Sequence, residues 1–538
     1  MACFRFCGIA ATPRPKVLAG LTCLWISLVS GFTAESTKIP GVPKWTRFEQ
    51  SFKSSFSYEK PLQSCTFTAE FISPIGITNL VLGFWDGGKT WRIRFLPEQP
   101  GRWTFRTRCS DWQNDGLQNQ SGEFLCTAPL GTGRFTRHGP IRAARDQRHF
   151  QHQDGTPFFW IADVAWDAAR LSTPLEWNAY AQIRAAQKFT AAQWSVVPGK
   201  DIEGESAFLD RTQILPNPEF FQRLDAKIET LNRVGLLSIV APFWNRDRQY
   251  FDPLPEDQKT YLLRYLVARW GAHHVAWLLH SEGGTPAAVA HWKKIGPHIF
   301  AGTHRGPVLL TLPENSEAGS ELREQGWIDA YAFLPGLGSS ALREILAAST
   351  GRPLIPILSA VENKKASGSA QRINANDLRR EIWSNLLRIS TAGTCYSSDA
   401  VADWNPTLDQ NLTKDLPLWH KSLFLPGAKQ LVVVSETFNA LPYWQLRPAT
   451  ATAATRFKAG IEGLAAAETA NKSLSLFYNL EERTLELPLP ALPRSPALTW
   501  LNTLNGQTNS AVAVMGARSV RFPTPEAGDW VLIVKSSP

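Results

Sequence analysis

From residue 40 to about 128, short apolar runs are cut by Pro, Gly and Asp. The runs at 66–71, 91–95, 103–108 and 124–127 have the length and spacing of strands. Asp86-Gly87-Gly88, between two such runs, is a hairpin turn signal. The pattern predicts an N-terminal β-sandwich over 36–128. From about 135 the apolar runs lengthen and alternate with amphipathic stretches. Strands are expected at 158–165, 190–197, 236–243, 274–279, 308–312, 328–333, 354–358 and 393–397. Helices are expected at 174–188, 217–234, 257–270 and 374–390. Strand candidates interleaved with helices in this way are what a (β/α)8 TIM barrel requires, here over 135–448. A doubly wound open sheet is the structural alternative, and no GxGxxG follows the first strand to give it a nucleotide site. After an Ala/Thr-rich stretch at 449–455, β-like runs at 473–478, 484–487, 497–501, 519–522 and 530–534 predict a small C-terminal β-domain over 470–538. The expected fold class is therefore α/β, a barrel flanked by two β-domains.

Composition adds limits. The chain has 538 residues, 43% hydrophobic and 19% charged, enough for several buried cores and against extended disorder. Its 21 tryptophans suit both core packing and stacking on sugar rings. The formal net charge is +9, but no dense Lys/Arg patch or nucleic-acid motif accompanies it, so no nucleic-acid partner is expected. At the N-terminus, Arg5, Arg14 and Lys16 precede the apolar run 17–32 and the small residues Ser30, Gly31 and Ala34. This predicts a cleaved signal peptide over 1–34 and a secreted or periplasmic protein, with an uncleaved anchor as the alternative. No membrane span is expected in the mature chain. Outside the leader stand Cys65, Cys109, Cys126 and Cys395. Cys109 and Cys126 end and begin two strand-like runs, which allows a cross-strand disulfide or two free buried thiols. With no CxxC and no HExxH, neither a metal nor a cofactor is expected.

Several phrases carry a resemblance. Gly83-Phe84-Trp85-Asp86-Gly87-Gly88, Trp91-Arg92-Ile93-Arg94-Phe95 and Gly101-Arg102-Trp103 look like the sandwich domain that precedes certain bacterial sugar hydrolases. Asp154-Gly155-Thr156-Pro157-Phe158-Phe159 with Ala162-Asp163-Val164-Ala165-Trp166 matches the "DG-x-PF … GDTAW" opening of the apiosidase-like glycoside hydrolase barrels. Leu425-Pro426-Gly427-Ala428, Leu441-Pro442-Tyr443-Trp444 and the tail Gly528-Asp529-Trp530-Val531-Leu532 are similar to later parts of the same proteins. The chain departs from the family at three strand ends. Thr311-Leu312-Pro313 stands for a "TYHP"-like phrase, and Phe333-Leu334-Pro335-Gly336 for a "QSGH"-like one. Leu358-Ser359-Ala360-Val361-Glu362 stands for an "E-x-x-YE"-like phrase, so Leu358 replaces the first of two acids.

The resemblance implies hydrolysis of a glycosidic bond in a poly- or oligosaccharide, which ordinarily uses two carboxyl groups at the C-terminal mouth of the barrel. Glu282 follows the fourth expected strand and is the first catalytic candidate; its bland alternative is a helix-capping carboxylate. Glu362, just past the seventh, is the candidate nucleophile or base, against an exposed loop acid. Asp163 is implied as a sugar ligand, against a buried structural hydrogen-bond partner. Trp166, Gln193, Trp194, Trp244 and Tyr396 follow or end strands and could line the pocket, core packing being the alternative for each aromatic. The missing acid at 358 motivates a second reading: a carbohydrate-binding or surface-interaction protein on a barrel without turnover.

Overall fold

A computed structural model describes residues 39–144, 148–196, 199–210, 214–242, 255–280, 286–300, 305–311, 321–322, 324–334, 351–365, 371–389, 392–404, 418–449, 465–480, 484–488 and 495–536. The expected leader and the departures at 312–313 and 335–336 lie outside these residues. No helix among them is long and apolar enough to cross a membrane.

The N-terminal part is a seven-stranded sheet in the order Gly41–Pro43, Ser121–Thr127, Gly101–Cys109, Phe67–Ile72, Thr78–Trp85, Thr90–Phe95, Phe48–Lys53. Apart from the parallel pair Gly41–Pro43 and Ser121–Thr127, its pairings are antiparallel. Phe48, from the strand at one end of this order, stacks at 4.5 Å on Phe124, from the strand next to the other end. The sheet is therefore wrapped over an aromatic core that also holds Phe71, Phe95, Trp91 and Trp103. Asp86-Gly87-Gly88 makes the expected hairpin, with the Asp86 amide donating to the Thr90 carbonyl, the Thr90 amide donating to the Gly87 carbonyl, and positive φ at both glycines. The register also decides between the two alternatives for Cys109 and Cys126, which are buried thiols not bonded to each other. Cys126 lies opposite Gly101, at the far end of the long strand from Cys109, and the sulfur beside Cys109 belongs to Cys65.

The central part is a parallel sheet. Its first to seventh strands are Trp160–Val164, Ala191–Ser195, Leu237–Ala241, Val275–Leu279, Val308–Thr311, Ala330–Phe333 and Leu354–Pro356. Each pairs with the next, and the last strand, Gly393–Ser398, pairs with the first. The seventh strand also lies beside the last, so the sheet curls toward its own end and has an inner and an outer face. Both faces are apolar, as parallel sheets require. The inner cluster takes Trp160, Ala162, Val164, Ala191, Ile239, Leu278, Leu309, Ala332, Ile355 and Cys395. The outer cluster takes the alternate residues, among them Ile161, Ala192, Trp194, Val240, Leu310 and Tyr396, and packs them against the helices.

The helices start where the sequence provides caps. Thr173 and Glu176 form a capping box at Pro174–Ala186, and Asn217 caps Pro218–Arg233 through the Glu219 amide. A small sheet of Ile141–Ala143, Phe150–His152 and Pro157–Phe158 precedes the first strand, and its apolar residues join the inner cluster. It closes the N-terminal end of the inner face. The C-terminal part has a six-stranded sheet and a three-stranded one around Trp500, Phe522, Trp530 and Leu532.

One difference from expectation concerns the seventh strand. It ends at Pro356, and Val361–Glu362 forms a further short strand paired with Ser397 and Ser398. Glu362 therefore belongs to the sheet wall and not to a loop.

Candidate active site

Alternation along the strands decides where each candidate side chain points. In the first strand Trp160, Ala162 and Val164 fill the inner face, which turns Asp163 outward toward the helices. There its Oδ2 accepts from Tyr180 Oη and from Arg184 Nε, each at 2.8 Å. Tyr180 and Arg184 are i, i+4 on the helix Pro174–Ala186, and with Trp177 and Ala181 they make its buried stripe. Both members of the Asp163–Arg184 ion pair are wholly buried. Burial pushes the Asp163 carboxyl above its ordinary range, against the opposing pull of the guanidinium and of the Tyr180 hydroxyl. Arg184 also donates to Gln187 and to the Leu423 carbonyl, and its guanidinium lies over the Phe189 and Tyr396 rings.

Tyr396 alternates with Cys395 of the inner cluster, so it too faces the helices. Its hydroxyl donates to Glu362 Oε2 at 2.6 Å. The other carboxylate oxygen accepts the Gly427 N–H at 3.0 Å, in the first turn of the helix Pro426–Asn439. A carboxylate there meets an unpaired helix amide and the positive end of the helix dipole. Glu362 is 3% exposed. A Cβ on Gly427 would fall 2.5 Å from Glu362 Oε2, so the missing side chain at Gly427 is what admits the carboxylate. Asp163, Arg184, Tyr396 and Glu362 thus form one buried polar chain between sheet and helices.

The other candidates divide by the same parity. Trp194 is outward and fully buried, its indole N–H donating to Ser238 Oγ and its ring packed on Trp270. Gln193 is inward and donates to the Ile357 carbonyl just past the seventh strand. Trp166 is 5% exposed and belongs to the inner cluster, beyond the C-terminal end of the first strand. Leu358, in the position of the missing acid, packs on this inner cluster as well. Glu282 and Trp244 lie outside the described residues. The strand Val275–Leu279, which leads to Glu282, is described, and His280 follows it. The C-terminal end of the inner face therefore collects Trp166, Gln193 and Leu358, while Asp163, Trp194, Glu362 and Tyr396 build its outer support.

Residues 144–445 match the model of the apiosidase-like catalytic domain. The chain belongs to the apiosidase-like family. Residues 41–110 match a second model, a domain of unknown function designated DUF5060. No curated protein matches the chain significantly. Among solved structures, the chain is similar to a Bacteroides vulgatus ATCC 8482 protein provisionally named a glycoside hydrolase, with a TM-score of 0.70 at 18% identity over 93% of this chain and 100% of that one. It is also similar to a glycoside hydrolase with a TM-score of 0.65 at 16% identity, over 76% of this chain and 99% of that one. A family 5 glycoside hydrolase from the same Bacteroides strain gives 0.64 at 16% identity, over 75% and 94%. At these identities the likeness is one of fold.

In this apiosidase-like chain, Arg184, Tyr180 and Gly427 are the polar partners that the sequence reading passed over. A signal for Arg184 was present: it continues the apolar stripe Trp177, Tyr180, Ala181 at helical spacing, and a cation on such a stripe needs a buried anion.

Proposed function

We propose that this chain is an exported glycoside hydrolase working at the C-terminal end of a (β/α)8 barrel, with a β-sandwich before it and a small β-domain after it. The observation that carries the reading is membership of the apiosidase-like family across 144–445. The curled parallel sheet supports it, because the strand Val275–Leu279 runs directly into the segment holding Glu282, at the end where such sheets build sites. Glu282 is the proton donor in this reading. Glu362 meets the requirement of chain position for the second carboxylate, but its oxygens are committed to Tyr396 and Gly427. That makes its substitution the decisive one. The substrate is a poly- or oligosaccharide, lying over Trp166 and Gln193.

A second reading has a specific observation in its favour. Leu358 holds the inward position at the mouth, and Glu362 is enclosed in the wall. A barrel so built binds carbohydrate without turning it over. Release of reducing sugar from a panel of plant, algal and bacterial polysaccharides separates the two, with glycan binding measured alongside. The hydrolase reading expects turnover by the wild type and its loss in a folded Glu282→Gln variant. Loss in Glu362→Gln with Tyr396→Phe still active would make Glu362 a catalytic carboxylate. Binding without turnover in the wild type, with turnover appearing in Leu358→Glu, would establish the second reading.

A further inference from the structure

Cys65 and Cys109 hold their sulfurs 3.2 Å apart inside the N-terminal sheet. Both residues are buried, at 5% and 7% exposure. Their approach is fixed by the fold. Phe67 pairs with Cys109 in the antiparallel ladder, the Ser110 amide donates to the Thr66 carbonyl one step on, and Cys65 ends the short helix Pro61–Ser64. The ladder therefore brings the two sulfurs together before any bond joins them, and closing to a bond of about 2 Å asks a movement of only about 1 Å. The remaining described cysteines offer no competing partner. Cys126 lies opposite Gly101 at the other end of the strand, and Cys395 is in the parallel sheet.

We infer that Cys65 and Cys109 are joined by a disulfide in the mature protein. The chemistry suits the pair. The hydrogen bond from Cys65 pulls the Cys109 thiol below its ordinary value, against its burial, so Cys109 is the thiol that ionises first. Its thiolate attacks the disulfide of an oxidant of the thiol–disulfide oxidoreductase or glutathione class and expels one thiolate. Cys65, giving up its proton, then attacks the Cys109 sulfur and expels the second. Two thiols are oxidised by two electrons and the oxidant's disulfide is reduced to two thiols.

The position gives the bond a structural role. Cys65 borders a small cavity with Leu62, Phe67, Phe84, Trp91 and Tyr265, where the N-terminal sheet meets the helix Glu256–Trp270. A bond here ties the segment before one strand to the end of another, 44 residues along the chain, at that junction. Removing chain entropy from the unfolded state over a loop of this size raises the melting temperature.

The test uses the full chain, reduced, then refolded in a glutathione redox buffer, so it does not depend on export. Peptide mapping after alkylation reads Cys65 and Cys109 individually, whatever Cys3, Cys7 and Cys23 do. The expected result is a Cys65–Cys109 cross-linked peptide, present also in Cys126→Ser, and a melting temperature a few degrees above that of the reduced protein. The Cys65→Ala/Cys109→Ala double variant should show no such redox-dependent shift. Full alkylation of both residues after oxidation, or a Cys109–Cys126 cross-link, overturns the inference.

Discussion

At the scale of single residues, the buried chain from Asp163 to Gly427 makes the sharpest demands. The Asp163–Arg184 pair has no access to water, and its charges are compensated by each other and by Tyr180. Breaking one partner of a buried pair costs about 3–5 kcal/mol, whereas replacing both by apolar groups of similar size is much closer to neutral. Arg184→Met is therefore expected to lower stability by an amount of that order in chemical denaturation. Combined with Asp163→Leu, it should recover most of the loss. A double variant no better than the single would mean that shape and not charge governs this position. Gly427→Ala tests the other end. Its methyl would meet Glu362 Oε2 at 2.5 Å and Leu378 Cδ2 at 2.7 Å, so the helix start or the carboxylate must shift. A loss of about 1–3 kcal/mol is expected, as for other overpacked sites. Tyr396→Phe, which deletes one hydroxyl and adds no bulk, should cost less. The reverse ranking would remove the crowding argument.

At the scale of elements, the order of strands and helices was legible and the facing of their side chains was not. The alternation of apolar runs with amphipathic stretches gave the central strands in sequence, and the capping residues Thr173, Asn217 and Asn374 stand where helices begin. But Trp160–Val164 is buried at every position, as are Ala191–Ser195 and Leu237–Ala241. A strand buried on both faces has no polar alternation to reveal its parity. That is why the outward places of Asp163, Trp194 and Tyr396 could not be read from sequence. The return of Val361–Glu362 to the sheet was equally hidden, since two residues carry no periodicity of their own. The small sheet closing the inner face has a legible consequence in pH. Burial lowers His149 and His152 to about 4 from an ordinary 6.5. The unfolded chain therefore takes up these protons first as pH falls. Stability is full above about pH 6.5 and is withdrawn between there and pH 4, at about 1.4 kcal/mol per unit for each imidazole. Melting temperature measured across this window should fall with pH. The fall should be shallower in His152→Gln, which keeps a donor for the Gly139 carbonyl. Parallel curves for the two proteins would remove His152 from the account.

At the scale of the whole molecule, the phrases of the two flanking sheets that carried the resemblance supply docking contacts to the central part. In the N-terminal sheet, Asp86 of the hairpin accepts from Arg269 at 2.9 Å, and Arg94 donates to Asp225 at 2.8 Å. Arg269 also holds Asp225 through two bonds of 2.8 Å, and both guanidiniums lie over the Phe84 ring. The pull of the two arginines keeps the Asp225 carboxyl well below the carboxylate range despite its burial. At the other end, Asp529 of the Gly528-Asp529-Trp530 phrase takes Arg379 at 2.8 Å and Arg380 at 2.9 Å from the helix Ala375–Arg388. Both flanking sheets are thus fastened to the central one by buried carboxylate–arginine clusters. Asp225→Asn leaves Arg94 and Arg269 buried with their shared anion gone, a change of the kind that costs several kcal/mol. Because the loss falls on a junction and not on either core, it should appear as lost cooperativity. Calorimetry of the wild type is expected to show the N-terminal and central parts melting together. In Asp225→Asn an earlier transition should separate, and protease should cut within the N-terminal sheet below the main melt. Asp529→Asn should release the C-terminal part instead and leave the N-terminal part coupled. A single, barely shifted transition in both variants would show that the junctions are held by Phe84 and its apolar neighbours, with the charges contributing only their own solvation.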